Sequence, residues 1–245
     1  ALLHLADGSK VLDMSSLAAC SNLGHQHPAM VNAIQTQAEQ LCFVTNAWGA
    51  ESRAELAREL LKVSGFEGGR VFFTLGGADA NEHAVKIARM VQGSAQAPVI
   101  ARERSYHGAS YFGMALSGDA RTQSLIDATA MGVHHVPAPY ASRCPFDSES
   151  PAQCAELAAN AIADKIRELQ PTQTAAVILE TNAGSNGIIA PDEYWPAVRK
   201  LTRDAGVLLI ADEVMSGFGR CGQWFAWQKY AAGNAPDIIT CAKGL

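Results

Sequence analysis

Two stretches of the sequence decide the fold: Val207-Leu-Leu-Ile-Ala-Asp-Glu-Val-Met-Ser-Gly-Phe-Gly-Arg220 and Pro236-Asp-Ile-Ile-Thr-Cys-Ala-Lys-Gly-Leu245. Each contains a short apolar run that ends close to one ionisable side chain, Asp212 in the first stretch and Lys243 in the second. Short apolar runs rich in Val and Ile are typical of buried parallel strands. Ligands of open α/β sheets bind at the carboxyl ends of the strands, so we expect a carboxylate and an amine at the mouth of one pocket.

Strands and helices alternate along the rest of the chain, which is typical of a doubly wound α/β domain with a mainly parallel sheet. An Asp7-Gly8 turn between two apolar segments adds a predicted hairpin near the start. The predicted strands are Leu2–Leu5, Val11–Met14, Arg70–Thr74, Pro98–Ala101, Val133–Val136, Ala175–Glu180, Val207–Asp212 and Ile238–Ala242, and the predicted helices are Pro28–Leu41, Ala50–Val63, Asn81–Val91, Ala152–Leu169 and Asp192–Ala205.

The composition argues against several partners. The chain has 245 residues and a net charge of −5 at pH 7 without a basic block, so we expect neither nucleic acid nor an anionic membrane as a partner. No apolar stretch is long enough to span a bilayer. The six cysteines show no C-x-x-C pair and no metal spacing, which indicates a reduced, cytoplasmic enzyme. We interpret His25 and His27, which precede Pro28, as loop histidines rather than as metal ligands.

A glycine-rich segment, Thr74-Leu-Gly-Gly-Ala-Asp-Ala-Asn-Glu82, connects a predicted strand to a predicted helix. Glycine lets the backbone approach an anion closely, and the free N–H groups of a helix's first turn point towards it. The segment is therefore a candidate phosphate site. Taken alone, it is more typical of an ordinary tight turn with helix capping.

An aromatic residue follows the next predicted strand, in Ser105-Tyr-His-Gly108. An aromatic ring at the carboxyl end of a strand can stack on a flat cofactor, which makes Tyr106 a candidate binding residue. Taken alone, a half-buried tyrosine that covers the sheet edge is the better interpretation.

The pair Asp212 and Lys243 fits one cofactor, pyridoxal phosphate (PLP). A carboxylate beside the pyridine nitrogen favours its protonated form, and a desolvated lysine amine can form a Schiff base. Val214 lies on the same side of its strand as Asp212, so we expect it on the ring face opposite Tyr106. A capping aspartate and a solvent-exposed lysine are the alternatives. The conjunction of an anion site, an aromatic, an acid and an amine at strand ends favours PLP.

Together these segments resemble the class III aminotransferases, a branch of the fold-type-I PLP enzymes. The resemblance covers essentially the whole chain, and its combined motifs are highly specific. The segments that carry it are Leu23–Pro28 (family G-H-x-H-P), Phe73–Glu82 with Ala84, Lys86, Ala88 and Arg89, Tyr106–Gly108, Asp212–Val214, Gly217–Arg220 and Ala242–Gly244.

The resemblance implies how the cofactor would be held. Gly77 and Ala78 bind its phosphate through backbone N–H groups. Tyr106 stacks on the ring, with His107 in the same motif, and Val214 packs on the opposite face.

The resemblance also implies the catalytic residues. Asp212 pairs with the pyridine nitrogen, and Lys243 forms the Schiff base and moves the proton at the substrate carbon. Glu180 corresponds to a strand-end glutamate at the cofactor site that, in several members, partners an arginine near the C-terminus. Trp48 is a candidate wall of the substrate pocket, with a core or interface tryptophan as an equal alternative.

The same resemblance implies the domain organisation. Residues 1–45 would form an N-terminal hairpin and helix of the small-domain region, and residues 46–245 the PLP-binding large domain, which we expect to be truncated after Lys243. Fold-type-I enzymes generally build their active sites at a dimer interface, so a homodimer is expected.

The expected function is transfer of an amino group from an ω-amino acid or amine to a keto-acid such as pyruvate or 2-oxoglutarate. The family's N-S-G-A is Leu75-Gly-Gly-Ala78 here, and its E-P-V is Glu180-Thr-Asn182. The second variant most resembles taurine–pyruvate and taurine–2-oxoglutarate aminotransferases. Alternatives are a PLP aminomutase or racemase on the same fold, or a catalytically silent fragment. A nicotinamide-dependent oxidoreductase is disfavoured, because the glycine spacing does not match.

Overall fold

The computed structural model describes residues 1–45 and 47–245, with Ala232 described by its backbone alone. These residues divide into two compact units. One unit comprises Ala1–Phe73 with Lys243–Leu245, and the other comprises Thr74–Ala242. The domain boundary expected between residues 45 and 46 stays a prediction, and Asn46 lies outside the described residues.

The first unit contains the predicted hairpin and two helices. The hairpin strands pair antiparallel, with Leu3 opposite Val11. A single helical turn, labelled α1 (Ser16–Ala19), lies between the hairpin and these two helices. It is left-handed, because all four of its residues have positive φ, and it was not predicted from the sequence. The elements are β1 (Leu2–His4), β2 (Lys10–Leu12), α1 (Ser16–Ala19), α2 (Pro28–Gln40) and α3 (Glu51–Ser64).

The second unit is built on the predicted parallel sheet. Its elements are α4 (Gly77–Gln92), β3 (Val99–Arg102), α5 (Tyr111–Leu116), α6 (Ala120–Gln123), β4 (Val133–Val136), α7 (Pro151–Leu169), β5 (Ala176–Glu180), β6 (Asn182–Ala183), β7 (Ile188–Ile189), α8 (Tyr194–Ala205), β8 (Leu208–Asp212) and β9 (Ile238–Thr240). Five strands pair in the order β4-β3-β5-β8-β9, and every pair is parallel. The predicted α/β class with a parallel central sheet is confirmed.

The central strand β5 shows why the sheet is stable. All five of its residues are buried, since helices cover both faces. On one face Ala176 and Ile178 join an apolar cluster with residues of α4 and α5, among them Val85 and Leu116. Helices α7 and α8 pack against each other and against the sheet, α7 on β3 and β4 and α8 on β8. A site at the carboxyl edge of these strands therefore stands on a rigid support.

Two sequence predictions differ from the structure. Arg70–Thr74 forms no strand, because an apolar segment becomes a strand only when it pairs with a neighbour, and this segment joins no ladder among the described residues. Phe72 is 62% exposed there. Helix α4 begins at Gly77 instead of Asn81, so the glycine-rich segment supplies its first turn. None of the described helices has the length and apolarity needed to cross a bilayer.

Candidate active site

The carboxyl ends of three neighbouring strands bring polar side chains to one edge of the sheet. Glu180 ends β5 and lies in register with Asp212, which ends β8. Thr240 ends β9 and lies in register with Asp212 on its other side. All three residues are less than 5% exposed. Buried polar side chains need partners, so a cluster of three at one sheet edge is a candidate functional site.

Asp212 has hydrogen-bond partners at both of its carboxylate oxygens. Its Oδ2 accepts a hydrogen bond from Asn81 Nδ2 at 2.7 Å and lies 2.7 Å from Nδ1 of His107. Its Oδ1 accepts a hydrogen bond from the backbone N–H of Val214 at 3.0 Å. Carboxylate oxygens accept hydrogen bonds, so His107 donates to Asp212 in the tautomer that carries a proton on Nδ1. These contacts hold the Asp212 carboxylate in one orientation.

Asn81, which was not among the predicted site residues, joins four elements of the site. It is 1% exposed and its Nδ2 also donates to the backbone carbonyl of His107 at 3.0 Å. Its Oδ1 accepts a hydrogen bond from Thr240 Oγ1 at 2.6 Å. Helix α4, the Tyr106–Gly108 segment, β8 and β9 are thereby linked. The available signals were a threonine ending an apolar strand and an amide on the alanine-rich face of a helix.

Glu180 fixes the segment that contains the predicted stacking aromatic. Its Oε1 accepts a hydrogen bond from the backbone N–H of Tyr106 at 2.9 Å. Burial raises the pKa of Glu180 above its ordinary value of 4.5, and the neighbouring Asp212 adds to the rise. His107, Arg102 and the Tyr106 N–H oppose it. Tyr106 is therefore anchored to the end of β5 by its backbone, which leaves its ring free to pack elsewhere.

Two glycines permit close contacts that a side chain in their place would prevent. A Cβ on Gly77 would lie 2.8 Å from Cγ1 of Val214, so the first turn of α4 touches the Val214 side chain, two residues after the end of β8. A Cβ on Gly108 would lie 2.4 Å from Cβ of Ala78, and Gly108 has a φ of +127°. The predicted phosphate site, stacking segment and acid segment thus meet in one place.

Glu213 is a buried carboxylate that the sequence interpretation left without a role. Thr181 Oγ1 donates to its Oε1 at 2.7 Å, and Ser216 Oγ donates to its Oε2 at 2.5 Å. The backbone N–H groups of Ala226 and Trp227 donate to it as well. Burial raises the pKa of Glu213, while these hydrogen bonds oppose the rise. Glu213 therefore shapes the loop after β8, and Thr181, which replaces the family's proline, completes that network.

The structure brings seven of the predicted site residues together in the unit Thr74–Ala242. Lys243 and Trp48 belong to the other unit. There Lys243 Nζ donates to the carbonyl of Ala18 at 3.0 Å, and its backbone is left-handed, with a φ of 51°. Trp48 is 70% exposed, and its role as a pocket wall stays a prediction. The seven residues are Gly77, Ala78, Tyr106, His107, Glu180, Asp212 and Val214.

His25 and His27, the two histidines before Pro28, each lie close to a residue of the first unit. His25 Nε2 lies 3.0 Å from Asp13 Oδ2, and His27 Nδ1 accepts a hydrogen bond from the N–H of Ala29 at the start of α2. Among the described residues, no group of three or more His, Cys, Asp or Glu side chains is placed to hold a metal ion.

The chain belongs to the class III aminotransferase family, whose model, described as aminotransferase class-III, matches residues 1–245. Acetylornithine aminotransferase from Methanosarcina mazei is 36% identical over 241 residues, which cover 97% of this chain and 54% of that protein. Putrescine–pyruvate aminotransferase from Pseudomonas aeruginosa is 34% identical over 247 residues, which cover 98% of this chain and 54% of that protein.

Solved structures agree with the family assignment. The taurine:2-oxoglutarate aminotransferase of Bifidobacterium kashiwanohense, in complex with PLP and glutamate, is 38% identical with a TM-score of 0.92. That match covers 99% of this chain and 55% of the other chain. The chain therefore spans about half the length of the relatives it matches. Its similarity to PLP-dependent transaminases of fold type I confirms the predicted fold.

Family membership implies pyridoxal phosphate as the cofactor, and the described residues fit it. The protonated ring nitrogen of PLP needs a fixed carboxylate beside it. Its phosphate group needs a backbone that can approach closely and N–H groups that are free to donate. Asp212 supplies the first, and the bare Cα of Gly77 supplies the second. The first turn of α4 supplies N–H groups that no helical carbonyl can reach. His107 Nε2 is buried without a hydrogen-bond partner among the described residues.

Proposed function

We propose that the protein containing this chain is a PLP-dependent aminotransferase that moves an amino group from an ω-amino acid or amine to a keto-acid. The observation that carries the proposal is the buried Asp212 carboxylate at the end of β8, held by Asn81, His107 and the Val214 N–H. A buried carboxylate with so many fixed contacts cannot reorient, so it can hold a proton on a cofactor nitrogen without being displaced by water.

The other residues have roles around the same cofactor. The N–H groups of Gly77 and Ala78, at the N-terminus of α4, bind the phosphate, where the helix dipole favours negative charge. The Tyr106 ring and the Val214 side chain pack on the two faces of the pyridine ring. His107 holds Asp212 in place. When bound, PLP withdraws electrons from the bonds at the amine-bearing carbon of the substrate.

Lys243 is the residue proposed to carry the cofactor and to move the proton at the substrate carbon. It follows Thr240, which is in register with Asp212 across the sheet. A lysine amine does this work only when its charge is lost, which a desolvating pocket promotes. Glu180 and Trp48 are proposed to act on the substrate side, Glu180 as a strand-end carboxylate and Trp48 as a pocket wall.

The donor is proposed to be a short ω-amino acid of the taurine type. Support comes from the Glu180-Thr-Asn182 variant, in which Thr181 takes part in the Glu213 network, and from the similarity to the Bifidobacterium kashiwanohense enzyme. Acetylornithine and putrescine are the donors that the names of other relatives suggest. The acceptor is proposed to be pyruvate or 2-oxoglutarate, and the active protein a homodimer.

One observation favours a second candidate, a racemase. A leucine/methionine racemase from Thermococcus litoralis is 34% identical over 237 residues, which cover 96% of this chain and 52% of that protein. The cofactor residues would serve both reactions, since both begin with proton removal from the carbon that bears the amine. The two differ in outcome: a racemase returns the amino acid with inverted configuration and consumes no keto-acid.

The full-length protein tests these proposals in two steps. Borohydride reduction of the PLP-loaded protein followed by peptide mapping should place the cofactor on Lys243, and label on another lysine would overturn that assignment. Taurine, β-alanine, 4-aminobutyrate, putrescine and N-acetylornithine are then compared as donors with each keto-acid, and L-leucine is checked for racemisation. Preference for N-acetylornithine would refute the donor proposal and leave the cofactor proposal intact. Sedimentation measures the oligomeric state.

A further inference from the structure

Two cysteines outside the candidate active site form a thiol pair. Cys144 directly follows the 3-10 turn Ala141–Arg143, and Cys154 lies in the first turn of α7, which packs against that turn. The two thiols are hydrogen-bonded to each other. Cys154 is completely buried, whereas Cys144 is partly exposed. One sulfur of the pair is thus reachable from solvent and the other lies directly behind it.

The surroundings of the pair favour ionisation of Cys144 over ionisation of Cys154. Burial by itself would raise the pKa of Cys144. Hydrogen bonds from the Cys154 thiol, from the Ser148 side chain and from the N–H groups of Phe146 and Ser148 hold it below its ordinary value of 9.0. Burial, followed by the hydrogen bond to Cys144, raises the pKa of Cys154 to about 11. The partly exposed Cys144 thiol therefore ionises more readily than the buried Cys154 thiol, and a thiolate is the nucleophilic form of cysteine.

We propose that Cys144 is a site of reversible oxidation by hydroperoxides and that Cys154 is its resolving thiol. The Cys144 thiolate attacks the terminal oxygen of the peroxide, the O–O bond breaks, and hydroxide or an alkoxide leaves with the electron pair. Cys144 becomes a sulfenic acid. The Cys154 sulfur then attacks the Cys144 sulfur, the S–S bond forms, the S–O bond breaks, and water leaves with the proton of Cys154. Two thiols are oxidised and one peroxide is reduced.

The other cysteines lack this combination. The Cys20 and Cys42 thiols each donate a hydrogen bond to a backbone carbonyl, and neither is paired with a second thiol in the hydrogen bonds of the described residues. Burial raises the pKa of Cys241 to about 11. Cys221 is exposed and accepts a hydrogen bond from Asn182 Nδ2 at 3.1 Å, so it is the fairest comparison for reactivity. Proximity of a second thiol distinguishes Cys144 from it.

Oxidation would also act on a segment that begins beside the candidate active site. The loop 137–150 leaves the carboxyl end of β4, at the same sheet edge as Glu180 and Asp212. Tyr140 of this loop packs with Ala138, Ala183 and Ile188. A Cys144–Cys154 disulfide would join the middle of this loop to α7. The inference is independent of the proposed aminotransferase activity.

The full-length PLP-loaded protein is treated with dilute hydrogen peroxide at neutral pH and analysed by intact mass and peptide mapping. We expect loss of two hydrogen atoms, a Cys144–Cys154 disulfide, and reversal by dithiothreitol. Cys154→Ser should instead accumulate a dimedone-reactive sulfenic acid on Cys144, and Cys144→Ser should give neither product. Cys221→Ser, the control, should behave like the unchanged protein.

Two outcomes would overturn the proposal. One is a peroxide-treated protein in which Cys144 pairs with another cysteine or stays reduced. The other is alkylation of Cys144 that is no faster than alkylation of Cys221 in the unchanged protein. The alkylation rates need no variant, so they decide the matter even if Cys154→Ser fails to fold. Circular dichroism of each variant identifies such a failure.

Discussion

Nδ1 of His107 lies 2.7 Å from Oδ2 of Asp212, and both side chains are at most 3% exposed. The two residues are 105 positions apart in the sequence, one after β3 and the other at the end of β8. A charge-assisted hydrogen bond in such a dry environment is stronger than one in water. The contact therefore fixes the acid on which the proposed cofactor chemistry depends.

Replacement of Asp212 by Asn should leave PLP bound and lower turnover by about a hundredfold or more. The amide keeps the size of the side chain but no longer holds a proton on the cofactor nitrogen by charge. Cofactor content is measured from the absorbance of the dialysed protein, and turnover from keto-acid formation. Turnover close to that of the unchanged enzyme would remove Asp212 from this role.

His107 should act as a positioning residue through Nδ1, and two substitutions separate this from a general loss of packing. The side-chain amide nitrogen of Asn is as many bonds from Cα as the Nδ1 atom of His. The side-chain amide nitrogen of Gln is one bond further away, like the Nε2 atom of His. His107→Gln should lower kcat roughly ten- to a hundredfold, the equivalent of about 1.5–3 kcal/mol for a hydrogen bond to a charged group. His107→Asn should retain most of kcat. Equal losses in both variants, or a change confined to KM, would argue against the role.

Gly77→Ala should weaken PLP binding about tenfold, because the new Cβ would lie 2.8 Å from Val214 Cγ1 and overpacking costs about 1–3 kcal/mol. Adding Val214→Ala should restore part of the affinity by removing the clash. Fluorescence titration of the apoprotein with PLP measures both. Gly76→Ala is the matched control, since its Cβ meets no described atom within 4 Å and its φ of 172° suits any residue. If the effects of Gly77→Ala and Val214→Ala on PLP affinity were simply additive in the double variant, the proposed clash between the two side chains would be refuted.

Glu180 should make stability depend on pH. Its folded pKa is raised above 4.5, so the folded state binds the proton more tightly and the free energy of unfolding falls as pH rises from about 4.5 through the folded pKa. Glu180→Gln does not titrate, and its amide oxygen can still accept from the Tyr106 N–H. The variant should therefore gain stability relative to the unchanged protein across that window and then level off.

Urea unfolding of the apoprotein at several pH values measures this difference. Glu39→Gln, at an exposed position, serves as the control for removing one negative charge. A difference in unfolding free energy between Glu180→Gln and the unchanged protein that does not vary with pH would contradict the expectation.

Much of the fold was predictable because it depends on local patterns. The apolar runs of β5 and β8 are hydrophobic on both faces, which few structures other than a covered parallel sheet can satisfy. Parallel strands bring their carboxyl ends to one edge, so the placement of Glu180 and Asp212 together follows without knowledge of the loops. The motifs that carry the family resemblance are contiguous segments, which is why the cofactor was predicted correctly as well.

Other features depended on contacts between distant segments. Asn81 is 131 positions from Asp212, and no local periodicity indicates that its amide would meet that carboxylate. The apolar segment Arg70–Thr74 looks like a strand by composition, but a strand requires a neighbour with free backbone groups, which composition does not show.

By itself, then, the sequence determined the parallel sheet, the acid at the end of β8 and the family motifs, because short-range hydrophobic pattern and residue type specify each of them. Only the tertiary structure decided which side chains hold that acid. Asn81, His107 and Thr240 reach the network from three different elements, and the packing of α4 against β8 and β9 sets the distances between them. Hydrogen bonds act over about 3 Å, so partners far apart in sequence are settled only when the whole core has packed.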